Sequence, residues 1–206
     1  KDMAFVISFG SEAELLQDST NSIKALERGL GELRMNSASG GYITPGTIPQ
    51  SNPRGTILFD AVYLGATEKL QHEVGRKALI LITDGVDQGS RVKQNEAIQS
   101  ALKADSLIYS VYYVDPQFYG YYGGGGGHGT LKKMSDETGG RTFEVNRKNT
   151  LQSIFQEIQD EMRSQYSLSY SSSNPTRDGG YRKLEIRTKT KGLKVQARKG
   201  YFAPTA

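Results

Sequence analysis

The chain has 206 residues, a net charge of +4 and a mean hydropathy of −0.54, which suits one α/β domain with an appendage and leaves no stretch of membrane-spanning length. It contains no cysteine, which excludes disulfides, thiolate nucleophiles and thiolate metal sites. Two histidines are too few for a multi-histidine zinc site, so any metal here would have oxygen ligands, as magnesium, calcium and manganese do.

The charge is unevenly distributed. From Arg163 onward there are ten Lys and Arg against two Asp and Glu, a balance of +8, and residues 1–162 carry −4. A basic surface of this kind could meet nucleic acid or anionic lipid. The basic residues alternate with apolar ones, as they do on a solvated strand face, and no nucleic-acid motif accompanies them. We therefore expect no nucleic-acid partner and no membrane insertion.

The first half of the chain predicts two strands and two helices. Ala4 to Phe9 is a short apolar run typical of a strand, and Ala13 to Gln17 is a second short strand. Apolar residues at three- and four-residue spacing predict a helix over 21–34. Residues 36–55 are rich in Asn, Ser, Gly, Thr and Pro, which predicts a loop. Apolar residues from Ile57 onward predict a second helix that runs to about Glu73.

The apolar stretch from Ala78 to Ile82 is the strongest indication of the fold. This unbroken apolar run is too short for a helix and predicts a strand buried on both faces, as in a parallel sheet covered by helices. It ends in Thr83-Asp84-Gly85. The carboxyl ends of strands form the ligand-binding edge of an open α/β sheet, so Asp84 is expected there, where a carboxylate suits a hard cation. The alternative is that this cluster only makes a turn and caps a helix.

Strands and helices then alternate. The pattern predicts helices over 92–104, 131–138 and 151–163, and strands over 107–114 and 142–145. Such alternation predicts an α/β fold with a doubly wound, mostly parallel sheet flanked by helices.

After residue 163 the apolar period changes to two. Residues 166–171, 183–187 and 193–198 alternate apolar with polar or basic side chains, and turn residues separate them. This predicts a C-terminal antiparallel β-meander with one buried and one solvated face. We therefore expect an α/β domain over residues 1–163 and a β-meander over residues 164–206 packed on it.

A Tyr- and Gly-rich segment follows the strand that ends near residue 114. Tyrosine and glycine together compose many binding loops, and the segment lacks the Gly-Lys-Ser/Thr of a phosphate loop. Two interpretations stay open, a partner-contacting rim and a flexible insertion. His128 is expected to be a surface histidine with no partner group. The candidate partner-binding residues are Phe118, Tyr119, Tyr121 and Tyr122.

Three motifs in this order, AFVISFG, GTILFDAV and ALILITDGVDQGS, resemble those of a von Willebrand factor type A domain. The later stretches DETGGRTFEV, SQYSLSY, YRKLEIRTK and KVQARKGYF are similar to the bacterial von Willebrand factor A-related subfamily described from Acidobacteria. The resemblance covers nearly the whole chain. It implies a Rossmann-like fold that binds no nucleotide and holds one divalent cation in a metal-ion-dependent adhesion site, completed by an acidic group of a partner protein.

The resemblance implies two metal ligands in this chain. Thr56 in GTILFDA matches the family's threonine, and Asp84 in ITDG matches its aspartate. The alternative for Thr56 is a helix N-cap. Asp87 could join the site through water or cap the helix after Ser90. A hydroxyl and a carboxylate suit Mg²⁺, with Mn²⁺ or Ca²⁺ as alternatives, but two ligands alone should bind poorly.

The family's site also draws on an Asp-x-Ser-x-Ser segment that follows its first strand. This segment is absent from this sequence, and Ser8 and Ser11 after the first apolar run match it poorly. AFVISFG matches the family's second strand better than its first. The chain also begins with Lys1 rather than Met, which indicates a processed or trimmed piece. We therefore expect the family's first strand and helix, roughly 30 residues, to lie upstream or to come from another chain.

The sequence thus predicts a non-catalytic protein-binding or adhesion module. The resemblance places it in an exported bacterial protein, in the periplasm, on the cell surface or secreted. One alternative is a metal-independent assembly domain that uses the Tyr- and Gly-rich segment or the meander. Another is a metal-dependent hydrolase, although no Ser/His/Asp arrangement, nucleophile elbow or carboxylate pair is found at the expected edge.

Overall fold

The computed structural model describes residues 2–33, 55–114 and 126–205, which divide into two compact units. The first unit comprises Lys1–Ala61 and Asp87–Lys93, and the second comprises Val62–Val86 and Gln94–Ala206. The C-terminal segment that follows residue 163 belongs to the same unit as the parallel sheet.

The first unit contains an antiparallel strand pair followed by a helix. Strand β1 (Ala4–Phe9) pairs with β2 (Ala13–Thr20), and α1 spans Ile23–Gly31. The hydroxyl of Ser22 caps α1 by accepting from the backbone N–H of Ala25 at 3.4 Å. These three elements lie where the sequence predicts them, and β2 extends three residues beyond its expected end at Gln17.

The next helix begins at Leu58. Helix α2 spans Leu58–Leu64 and continues into a π-helical turn, Gly65–Leu70. Its apolar side chains repeat at helical spacing, and Leu58 and Val62 are among those buried. The predicted helix is confirmed, with ends inside the expected range 57–73.

A parallel sheet flanked by helices forms the second unit, which confirms the predicted α/β fold. Strand β4 lies between β3 and β5, and both pairings are parallel. The elements are β3 (Lys77–Thr83), α3 (Gln94–Lys103), β4 (Ser106–Tyr112), α4 (Gly127–Thr138), β5 (Thr142–Glu144) and α5 (Leu151–Arg163).

Strand β4 is covered on both faces. On one face Tyr109 and Val111 form a buried cluster with Phe143 and with Ile154 and Ile158 of α5. Burial of an aliphatic or aromatic side chain of this size contributes roughly 1.5–3 kcal/mol, so this cluster is a main source of stability for the sheet.

Polar side chains fasten the other face of β4 to α4. The Ser135 hydroxyl donates to the Ser110 hydroxyl at 2.9 Å, and the backbone N–H of Ile108 donates to the Thr138 hydroxyl at 3.0 Å. All four residues are buried, and pairing removes the penalty for burying these polar groups.

Strand β3 is buried on one face only. Leu79 and Leu81 are each 7% exposed, whereas Ile80 and Ile82 are 41% and 50% exposed. The prediction that this strand is buried on both faces is therefore wrong. The reason is its position, because β3 is the outermost strand of the sheet among the described residues.

The C-terminal segment forms one antiparallel strand pair, β6 (Tyr181–Lys183) with β7 (Gly200–Phe202). The antiparallel character is confirmed, but residues 166–171 and 193–198 form no strand and their apolar side chains are exposed. In the segment that follows residue 171, side chains bond the local backbone: the Asn174 N–H donates to the Ser172 hydroxyl, and the Thr176 N–H donates to the Asn174 side-chain oxygen.

The C-terminal segment is attached to the end of α4. The backbone N–H of Lys199 donates to the Glu137 carbonyl at 3.1 Å, and the Gln196 amide donates to the Gly139 carbonyl at 3.1 Å. Gly139 ends α4 with φ of +90°, a conformation that glycine adopts without strain. These two bonds and the glycine turn join residues 196–199 to the end of α4.

Candidate site at the carboxyl edge of the sheet

Asp84 follows β3 directly and lies at the carboxyl edge of the parallel sheet, as the sequence predicts. One carboxylate oxygen, Oδ1, accepts from the backbone N–H of Val86 at 3.0 Å and from the Thr83 hydroxyl at 3.4 Å. The N–H of Gly85 donates to the Thr83 hydroxyl at 3.2 Å. The cluster is thus a turn as well, and that turn fixes the position of the carboxylate.

Two glycines bring this turn against the start of α4. Gly85 has φ of +74°, in the region that favours glycine. A Cβ on Gly85 would collide with the carbonyl group of Gly127, and a Cβ on Gly127 would collide with the carbonyl oxygen of Asp84. The two backbone segments touch directly because neither residue has a side chain.

His128 lies in the first turn of α4. The helix begins at Gly127, four residues before the predicted start at Leu131. The His128 ring meets the ring of Tyr112, the last residue of β4, edge to face, with centroids 5.1 Å apart. His128 is half-buried, and its ring packs on Tyr112, a partner that the sequence did not indicate.

Thr56 lies in the first unit, just before α2. Its carbonyl accepts from the N–H of Gln88 at 3.0 Å, and its hydroxyl makes no hydrogen bond within the described part of the chain. The N-cap interpretation of Thr56 is wrong, since other side chains cap α2. Asp87 accepts from Phe59 N–H at 3.2 Å, and the Ser90 hydroxyl accepts from Phe59 N–H at 3.0 Å and Asp60 N–H at 3.1 Å.

Asp87 is part of a reciprocal capping network. The Ser90 hydroxyl donates to Asp87 Oδ1 at 2.5 Å. In return, the Asp60 carboxylate accepts from the backbone N–H groups of Arg91 at 3.1 Å and Val92 at 2.8 Å. Asp87 therefore caps α2, and not the helix after Ser90 as expected. The roles of Asp60 and Ser90 carried no local sequence signal, because their partners lie about thirty positions away.

The two predicted metal ligands belong to different compact units. Thr56 lies in the first unit and Asp84 lies in the second. Across residues 2–33, 55–114 and 126–205 there is no group of three or more His, Cys, Asp or Glu side chains that could hold a metal ion. The two oxygens suit a hard cation in type and are too few in number for a tight site. The predicted partner-binding residues Phe118, Tyr119, Tyr121 and Tyr122 lie outside the described residues.

Comparison with known proteins adds little. No family model matches this chain, and no curated protein matches it. Among solved structures it is similar to an uncharacterized membrane spanning protein from Vibrio fischeri, with 22% identity over 77% of this chain and 76% of that chain. The TM-score is 0.35, too low to carry an argument. None of the helices in the described ranges is both long and apolar enough to cross a membrane.

Proposed function

We propose that this chain is a non-catalytic protein-binding module of an exported bacterial protein, with a divalent-metal-dependent adhesion site at the carboxyl edge of its sheet. Asp84 and Thr56 each supply one oxygen ligand to Mg²⁺, or to Mn²⁺ or Ca²⁺. An acidic side chain of the partner protein completes the coordination. The motifs GTILFDA and ITDG support this assignment through their resemblance to von Willebrand factor type A domains.

The observation that carries the proposal is the fixed position of Asp84 at the end of β3. Its carboxylate is held by the Val86 N–H and the Thr83 hydroxyl, in a turn that touches the start of α4. A ligand group that is already in place loses little conformational freedom when the cation arrives. This favours a binding role for Asp84 in addition to its role in the turn.

The surroundings of Thr56 support the second ligand. Asp87 and Ser90 cap α2, so the Thr56 hydroxyl is not needed for that purpose. A threonine placed beside a helix start that others cap suits a ligand role better than a capping role.

The remaining ligands are an essential part of the proposal. A hydroxyl and one carboxylate leave most of the coordination sphere of Mg²⁺ to water, so this chain alone should bind the ion weakly. We propose that an Asp-x-Ser-x-Ser segment, which these 206 residues lack, supplies further oxygens. The complete metal site then needs both the ligands of this chain and those of the Asp-x-Ser-x-Ser segment.

Calorimetric titration of Mg²⁺ and Mn²⁺ tests the proposal on two proteins, this chain and a form extended at its N-terminus by a strand and helix carrying Asp-x-Ser-x-Ser. We expect tight binding only in the extended form, and its loss in Asp84→Asn. Asparagine keeps an Oδ1 acceptor for the Val86 N–H, so the turn is retained while the charge is removed. Equal heats in the extended form and its Asp84→Asn variant would contradict the metal site.

A metal-independent assembly domain is the second candidate. The exposed apolar side chains of β3, Ile80 and Ile82, favour it because exposed apolar patches mark interaction surfaces. Partner binding that survives chelation would support this candidate over the first. A hydrolase would instead show turnover of generic ester or phosphate substrates, and we expect none.

A further inference from the structure

A cavity of about 770 Å³ lies between the end of α3 and the C-terminal segment, within the second unit. This volume is in the range of small-molecule binding sites. Two of the residues that line it are buried, Leu102 of α3 at 6% exposure and Ala203 at 9%. None of the lining residues belongs to the site at Asp84, so the cavity is a separate candidate for ligand binding.

Apolar side chains that remain in contact with solvent also line this cavity. Leu168 and Tyr170 are 73% and 60% exposed. Phe202 of β7 and Leu184, which follows β6, line the cavity from the strand pair. An apolar ligand would remove part of this surface from water, which favours binding.

Two tyrosines of the cavity wall hold each other in place. The ring of Tyr170 meets the ring of Tyr201 edge to face, with centroids 6.2 Å apart. Hydrogen bonds from the Ser172 and Tyr170 hydroxyls lower the pKa of Tyr201, so the three hydroxyl groups form one cluster. An aromatic wall that is already ordered loses little conformational freedom when a ligand binds.

The charged residues of the lining are mainly basic. Lys103, at the end of α3, has its Nζ 5.3 Å from the centroid of the Phe202 ring. Across residues 2–33, 55–114 and 126–205, no Asp or Glu side chain forms an ion pair with Lys103. Arg198 does have such a partner, since its Nη1 donates to Asp105 at 2.5 Å, and its guanidinium has further N–H donors. These two cations and one carboxylate give the lining a net positive charge, which a single anionic group would neutralise.

We propose that this cavity binds the anion of a medium-chain fatty acid. The carboxylate accepts hydrogen bonds from Lys103 and Arg198. The hydrocarbon chain packs on the apolar side chains of the lining, which are Leu102, Leu168, Leu184 and Phe202. A hydrocarbon chain suits this surface better than a peptide does, because a peptide backbone needs a partner for each N–H and C=O that it buries.

Calorimetric titration of dodecanoate into the full chain tests the carboxylate end of the site. The ligand is kept below its critical micelle concentration, and EDTA is present so that no metal at Asp84 can bind the carboxylate. We expect one dodecanoate per chain. Dodecyltrimethylammonium, which has the same chain length and the opposite charge, should bind about tenfold more weakly or less.

The variant Lys103→Met removes the ammonium and keeps an apolar stem, so it should weaken dodecanoate binding about tenfold. Lys148→Met is the matched control, since Lys148 is also exposed and does not line the cavity. Absence of saturable binding, equal affinity for the cationic ligand, or equal effects of the two variants would overturn the proposal.

A second pair of variants tests the hydrocarbon end of the site. Leu168→Ser should weaken dodecanoate binding about fivefold, because the chain loses an apolar contact. Leu193→Ser is its control and should leave the affinity unchanged, since Leu193 is 63% exposed, lies in the same C-terminal segment and does not line the cavity. Both leucines are exposed, so neither variant should unfold the protein. Equal weakening by both, or tighter binding of a peptide with an apolar C-terminal residue, would overturn the assignment.

Discussion

Gly127 and Asp84 meet backbone to backbone, since the position that a Cβ of Gly127 would occupy overlaps the carbonyl oxygen of Asp84. This contact joins the end of β3 to the first residue of α4. It explains why a glycine begins the helix, although glycine is a poor helix former. The same contact fixes the turn that carries the proposed metal ligand.

The first prediction concerns this contact. Gly127→Ala should lower the free energy of unfolding by about 1–3 kcal/mol, because the new methyl group overlaps backbone and not a flexible side chain. Urea denaturation measures the change. Gly129→Ala is the control on the same helix, since a Cβ there meets nothing within 4 Å, and it should be neutral or stabilise by about 0.5–1 kcal/mol. Similar losses in both variants would mean that the turn and α4 do not touch in this way.

The second prediction separates capping from metal binding. Asp87→Ala should destabilise the protein by about 0.5–2 kcal/mol, because α2 loses a cap acceptor for Phe59 N–H and Ser90 loses its partner. Thr56→Val should change stability by less than about 0.5 kcal/mol, since its hydroxyl makes no bond among the described residues. Thermal denaturation without metal compares the two. If Thr56→Val lowers the thermal stability more than Asp87→Ala does, Thr56 and not Asp87 is the residue that stabilises the start of α2.

The third prediction tests how α5 packs on the sheet. Ile154→Ala should cost about 2–5 kcal/mol, because Ile154 is fully buried beneath Tyr109 and Val111. Leu151→Ala, in the first turn of the same helix and 39% exposed, should cost much less. If the two substitutions have equal effects in urea denaturation, α5 does not cover the sheet with this face.

The fourth prediction concerns alkaline pH. Burial, together with the nearby negative charge of Glu161, raises the pKa of Tyr109 above its ordinary value of 10.0. The folded state therefore holds this proton more tightly than the unfolded state, and stability is lost as the pH rises above about 10 toward the folded-state pKa. Tyr109→Phe should flatten this loss in urea denaturation between pH 9 and 11.5. An unchanged alkaline loss would assign it to other groups.

The strands and helices of the parallel sheet could be predicted because their apolar periods are strong and local. Strand β3 and helix α5 lie within a residue or two of their expected ends. The start of α4 could not be predicted, since its first residues are glycine and histidine and tertiary contact with Asp84 decides the boundary. The alternation of apolar and polar side chains in residues 166–171 led to the wrong prediction of a strand. A period of two is compatible with a strand, but a strand also needs a partner strand to pair with.

The site shows the same division between local and distant information. The place of Asp84 follows from one apolar run and the edge rule for α/β sheets, so sequence sufficed. The capping of α2 by Asp87 and Ser90 joins positions about thirty residues apart, which no local pattern reveals. The exposure of Ile80 and Ile82 depends on which elements lie beside β3. The sequence of β3 alone does not reveal those neighbours.

Electron paramagnetic resonance of Mn²⁺ can decide whether Asp84 and Thr56 bind a divalent cation together, as we propose. Free Mn²⁺ is counted during titration into the form extended by the Asp-x-Ser-x-Ser strand and helix, and into its Asp84→Asn and Thr56→Val variants. We expect one bound ion per chain, an affinity at least tenfold weaker in each variant, and displacement by excess Mg²⁺. Absence of binding, or binding unchanged by both substitutions, would contradict it.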